Sequence, residues 1–336
     1  MKDMKKKIIC TLYSVLCTLS VHANSPYLHK VWEFVPAPGQ FTNELPKYEE
    51  GNTADDMCRK VEELIAHNTR GMISLGAWGG YLVFSFDHPV QNVPGENDFI
   101  VEGNAFYTSA AAGAAGGGSS EPGVVMVSYD ENGNGLPDDV WYELAGSAYT
   151  HSETKHHYRV AYARTTEHED VPWTDNEQQT GVVEANNFHK QNFFPMWIDS
   201  DSLVFDGVRL PDNYKVQDNQ YILYPYDYGY ADNHPDTCRL AQLNIEWAVD
   251  AEGTPVHLNE VHFIKVYTAL LQQCGMLGET STEITGARDL HPDAAEGLAP
   301  IRTQSGSRKI LRNGQLMIIR NNIEYNPLGT ILTTIY

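Results

Sequence analysis

The chain has 336 residues, with 44 Asp and Glu against 23 Lys and Arg, for a formal charge of -21 at pH 7. So acidic a surface repels nucleic acid and anionic membrane surfaces and suits cations, which argues against a nucleic-acid partner. The length allows one large β domain or two small ones, each with an ample core.

The N-terminus combines Lys2, Lys5, Lys6 and Lys7, an apolar run from Ile8 to Val21, and a small-residue exit at Val21-His22-Ala23. This pattern predicts a secretory signal over 1–23, cleaved after Ala23. The apolar run is short of the about 20 residues that span a bilayer, and no later segment approaches that length. The mature chain keeps Cys58, Cys238 and Cys274, and an oxidising compartment permits one bridge, here expected between Cys238 and Cys274.

Residues 24–50 read as extended chain with Pro and aromatic residues. Thr53 and Asp56 then form a capping box for a helix running to about His67, with Met57, Val61, Leu64 and Ile65 on its apolar face. Beyond Gly71 the pattern turns strand-like: Tyr81 to Phe86, Gly123 to Tyr129, Val140 to Leu144, Tyr158 to Ala163, Ser202 to Phe205, Gln220 to Tyr224, Leu240 to Val249 and Glu260 to Tyr267. These short strands, mostly joined by loops too short for helices, predict an all-β fold with one short N-terminal helix, a β-sandwich of the jelly-roll kind. No repeat of fixed period is present, which argues against a propeller or solenoid. Ser109 to Ser120 is nearly all Ala, Gly and Ser and reads as a flexible surface loop. The binding domain is placed at 24–304. A linker and a C-terminal β-hairpin tail follow at 305–336, with the hairpin turning at Asn313-Gly314.

Three stretches invite chemistry. In Asp130 to Asp139, oxygen-bearing side chains alternate with glycines. Calcium needs six to eight oxygens around a tight loop, and Asp130, Asn132, Asn134, the Leu136 carbonyl, Asp138 and Asp139 supply them. Trp141 at the twelfth position excludes an EF-hand, and the competing reading is a hairpin turn with incidental acids. In Tyr221 to Asn233, four alternating tyrosines would share a face if extended, beside acids and amides of the kind that meet sugar rings and flat ligands. Tyr226, Tyr228, Asp227, Asp232 and Asn233 are the candidate ligand-binding residues, with Trp78 in the Gly76 to Gly80 turn as a further one; the competing reading is an aromatic core strand ending in a turn. His151, His156, His157 and His168 lack the regular spacing of a zinc site and read as a solvated loop. No nucleophile elbow, zincin helix, phosphate loop or dinucleotide fingerprint is present, so no catalytic residue is assigned; Asp199, Asp201 and Asp206 are the only acids put forward for a glycosidase.

Gly79 to Asp87, Asn92 to Phe99, Asp138 to Gly146, Phe194 to Trp197, Tyr228 to Asn233, Phe263 to Ala269 and Gly278 to Glu283 together resemble a family of Bacteroidetes-type secreted cell-surface proteins. The resemblance covers nearly all of residues 30–295. It implies a β-sandwich, no known reaction, and company with outer-membrane TonB-dependent receptors for scarce nutrients, cobalamin among them. Val101-Glu102-Gly103-Asn104 departs from the family pattern, an aromatic-Glu-Asn run. The tail, with Tyr325-Asn326 before Leu328-Gly329, resembles a type IX secretion sorting segment.

These readings converge on an exported, calcium-stabilised protein of the cell surface or outer membrane. It is expected to bind a glycan or a nutrient such as a corrinoid for an outer-membrane receptor. A polysaccharide-degrading enzyme and a structural or adhesive module are the alternatives.

Overall fold

The structure is a computed structural model that describes residues 23–294 and, beyond them, the backbone of four strands, Arg308–Arg312, Gln315–Arg320, Ile323–Tyr325 and Ile331–Thr334. The expected signal at 1–23, all but Ala23, and the turn residues Asn313 and Gly314 lie outside the described residues. The protein is all-β with a single short α-helix, 34% strand and 10% helical. No described helix is long and apolar enough to cross a membrane.

The helix spans Ala54–Ile65, and its capping box forms as expected: the Thr53 side chain accepts from the Asp56 N–H while the Asp56 carboxylate reaches back to the Thr53 N–H. Met57, Val61 and Ile65 are buried against the main sheet. That sheet has six antiparallel strands in the order Lys30–Val35, Tyr81–Ser85, Phe263–Thr268, Gly123–Ser128, Trp141–Leu144 and Ala248–Val249. Leu82, Phe84, Val125, Val127, Ile264 and Val266 point to the helix side. Val124 and Tyr267 point to the opposite side, where they meet Val208, Leu210 and Tyr230. Because both faces are covered, these strands read as continuous apolar runs rather than as clean alternation.

A four-stranded sheet orders Thr180–Val183, Val171–Asp175, Lys155–Ala163 and Ser202–Arg209. Here alternation is clear: Tyr158, Val160 and Tyr162 are buried with Phe205 and Trp78, while Arg159 and Ala163 face outward. The jelly-roll expectation is corrected. The sheets are arranged like a four-bladed propeller, although the sequence carries no repeat. The strand Phe263–Thr268 inserts between Tyr81–Ser85 and Gly123–Ser128, so the main sheet is made of strands far apart in the chain, an arrangement that turn spacing does not reveal.

Three smaller expectations are also corrected. Leu240 to Val249 is broken by two 3-10 turns into the short strands Gln242–Leu243 and Ala248–Val249. The second half of the Ala/Gly/Ser stretch is built into the fold: Gly118–Ser119 pairs with Phe106–Tyr107, Gly118 pairs with Leu223, and Ser120 is buried. Cys238 and Cys274 are free thiols, as is Cys58.

The two ends of residues 23–294 are joined. Leu28 donates to the Ala287 carbonyl at 2.9 Å and Asp289 to the Pro26 carbonyl at 2.7 Å. His88 sits between Asp87 at 2.6 Å and Asp289 at 2.8 Å, which ties the same seam and makes it structural.

Candidate functional site

The tyrosine-rich segment does not run extended. Gly229, at φ +94°, turns the chain against Gly146, where any side chain would collide with backbone. The tyrosines therefore part company. Tyr230 is buried, and Tyr226 donates its hydroxyl to the Pro211 carbonyl and packs on Tyr230. Tyr224 accepts from Gln217, and Tyr228, 39% exposed, lies 4.9 Å from the Trp247 ring. Asn233 braces the turn from inside, exchanging 2.8 Å hydrogen bonds with the Tyr226 backbone. Asp227 is exposed. Trp78 is fully buried and donates to the Val208 carbonyl at 3.2 Å, so its ring belongs to the core. Of the six expected ligand-binding residues, Asp232 alone reaches the arrangement described next.

That arrangement is the floor of a cavity of about 520 Å³. Three segments bring four acids together: Glu121, Glu279 and Glu283 line the cavity, and Asp232 adjoins Glu121 and Glu283. Glu121 lies two residues before the strand Gly123–Ser128, and its N–H donates to the Asp232 carbonyl. Glu283 opens the strand Glu283–Ile284, which pairs with Ile73–Ser74. Glu279 follows the 3-10 turn Gly275–Leu277, and Asp232 closes the tyrosine segment. One ligand oxygen from each of Glu121, Asp232 and Glu283 lies within 4.8 Å of the others. Above them the rim is apolar: Phe188 is 68% exposed and Met276 82%, beside Leu277 and Phe41.

Asp232 is held by the backbone. Its Oδ1 accepts from the Asn104 and Ala105 N–H groups at 2.8 Å each, and its Oδ2 accepts from the Glu283 N–H at 3.0 Å. Gly103 permits this approach, since a Cβ there would sit 2.4 Å from Oδ1. Glu283 accepts from the Ser281 hydroxyl, which is 3.1 Å from that of Ser74. Glu279 accepts from the Gln40 N–H at 2.7 Å through Oε1, while its Oε2 is buried with no partner.

Burial sets the electrostatics. It pushes the Glu279 carboxyl up to about 8, against a usual 4.5. Burial, followed by repulsion from Glu283, raises Glu121 and Asp232 well above their ordinary values. Glu283 is raised by burial too, though Glu121, Ser281, Ser74 and Asn104 oppose the shift. None of the four joins a salt bridge among the described residues. The floor therefore holds protons or a cation.

A second cavity of about 270 Å³ contains Glu143, lifted to about 8 by burial, with Tyr149, His156 and Asp206. Asp206 is occupied by Arg159 at 2.6 and 3.1 Å, and Asp199 and Asp201 are exposed in the preceding turn. The four histidines do not gather: His168 packs edge-on against Phe193, and His156 against Tyr149.

The Asp130 to Asp139 loop is exposed and folded on itself. Asp130 accepts from the Asn134 and Gly135 N–H groups at 3.1 and 3.0 Å, and Asn132 and Asn134 turn their amide nitrogens to Asp138 at 3.1 and 3.0 Å. Asn132 also donates to Asp139, and Asn134 Oδ1 accepts from the Leu136 N–H at 2.7 Å.

Glu121, Glu279 and Glu283 escaped sequence reasoning. The signal available was acids set in a run of small hydroxyl residues, Gly278 to Glu283, whose Ser and Thr are all buried. No family model matches the chain, and no curated protein matches it either.

Proposed function

We propose that the chain is an exported cell-surface protein that binds a ligand rather than transforming one, and that the cavity above Glu121, Glu279 and Glu283 receives it. The observation that carries this reading is the pairing of a buried, unpartnered carboxyl oxygen on Glu279 with an exposed apolar rim. Unpaired carboxyl oxygens ask for hydroxyl or amide donors, and the rim asks for a flat apolar face. A glycan and a corrinoid each present both, and delivery to an outer-membrane TonB-dependent receptor is the role that the family resemblance suggests. The N-terminal signal and the sorting-like tail belong to the same proposal.

Calorimetric and thermal-shift screens of the mature protein with oligosaccharides and corrinoids test it. In a hit, Phe188→Ala combined with Met276→Ala is expected to weaken binding by about 1–3 kcal/mol while costing the fold little, since both side chains are exposed. Undiminished binding by that double variant would move the site elsewhere.

Calcium binding by the Asp130 to Asp139 loop is part of the proposal. Rotation of the Asn132 and Asn134 amides would turn their oxygens inward beside Asp130, Asp138 and Asp139. Calcium at about 100 times its dissociation constant is then expected to stabilise the fold by about 2.7 kcal/mol, with Asp130→Ala abolishing the loop's share. A chelator that leaves the melting temperature of the unmodified protein untouched would dismiss it.

A further inference from the structure

We infer that Glu121, Asp232 and Glu283 form a second site, for a divalent oxygen-seeking cation such as calcium, in the floor of the cavity. The inference deepens the ligand-binding reading and rests on it only for access from solvent. A calcium ion sits about 2.3–2.6 Å from its oxygens, so ligands on opposite sides are about 5 Å apart. The three carboxyl oxygens, mutually within 4.8 Å, fit around one such ion. All three are oxygen donors, with neither thiolate nor imidazole among them, which favours a hard cation over zinc.

Two features of Asp232 indicate a built site. Its backbone is in the left-handed region at φ +48°, a costly state for a non-glycine residue that persists where surroundings over-determine it. Its carboxylate is orientated by three backbone N–H groups, which fix where its oxygens point.

Glu279 is the independent observation. It is 4% exposed, lines the same cavity as Glu121 and Glu283, and leaves Oε2 without a donor. A buried acceptor facing a group of uncompensated acids is unfavourable unless something positive or protic stands among them. Among the described residues, no Lys or Arg lines the cavity. A cation among Glu121, Asp232 and Glu283 answers the triad and places a positive charge in the cavity that Glu279 lines, with its cavity side open to ligand oxygens.

The test titrates the mature full-length protein, stripped by chelator, with calcium chloride alone at pH 7 and reads the bound cations by calorimetry. The Asp138→Asn variant, altered only in the exposed loop, is expected to keep one cation bound. Glu121→Gln, at the partly exposed member, is expected to weaken that event at least ten-fold, and Glu283→Gln to remove it. If Glu283→Gln does not fold, Glu121→Gln decides. Loss of all binding in Asp138→Asn, or unchanged binding in Glu121→Gln, overturns the site. Calcium bound in the floor while oligosaccharides and corrinoids are ignored refutes the ligand reading and leaves the cation site standing.

Discussion

Replacing Trp78 by Ala is expected to destabilise the protein by about 3–5 kcal/mol, the range for deleting a fully buried large aromatic side chain. The ring fills the core between the main sheet and the four-stranded sheet, edge-on to Tyr158 at 5.1 Å. Its removal leaves a cavity and also strips the Val208 carbonyl of its indole donor. Trp78→Phe restores much of the volume but not the hydrogen bond, so it should fall between the two. Urea unfolding of the three proteins measures the series. Unchanged stability in Trp78→Ala, with weaker ligand binding, would return Trp78 to the ligand-contacting role that its glycine-rich turn suggested.

The second large effect is on pH. In the metal-free protein, stability is expected to fall as pH rises from about 5 to 8, the reverse of the usual carboxylate behaviour. Glu279 shows the sign. Its folded value, about 8, lies above the ordinary 4.5. Below 4.5 both states hold the proton, and the contribution is present in full. Between 4.5 and 8 the unfolded chain releases its proton while the native one keeps it, which costs about 1.4 kcal/mol per pH unit for each such group. Glu121, Asp232 and Glu283 act in the same direction, as does Glu143. Asp56, lowered to about 2 by the Thr53 backbone and then Arg59, acts oppositely, with its contribution lost only as pH falls through that value. Denaturation midpoints from pH 5 to 8 in chelator measure the slope, and Glu279→Gln should reduce it by one group's share. A profile that climbs towards pH 8 without metal would mean that these carboxyls are already ionised.

What the sequence disclosed was local. The Thr53–Asp56 box and the 3.6-residue spacing of Met57, Val61 and Ile65 identify the helix because both signals lie within one segment. Tyr81–Ser85, Gly123–Ser128 and Phe263–Thr268 are all legible as apolar runs, but not that the third pairs with the other two, since pairing across some 140–180 residues leaves no mark in any of the strands. The tyrosine segment misled for a definite reason. Period two implies a shared face only if the backbone is extended, and Gly229 breaks that condition. The acidic floor was hidden differently: Glu121, Asp232 and Glu283 are each ordinary in their own segments, and only the meeting of three segments makes them unusual. Asp232 was chosen beside aromatic neighbours and instead faces the carboxyls behind them.

The placement of Phe263–Thr268 sets how late in synthesis the main sheet can close. Without this strand the main sheet is two fragments, Lys30–Val35 with Tyr81–Ser85, and Gly123–Ser128 with Trp141–Leu144 and Ala248–Val249. Each fragment then bares a strand edge backed by Leu82 and Phe84, or by Val125 and Val127, the kind of edge that recruits other chains. The seam between residues 26–28 and 287–289 closes later still. A chain released before residue 263 is therefore expected to aggregate rather than to form a smaller folded protein, and the nascent chain must be kept from pairing with other chains until its last strands arrive.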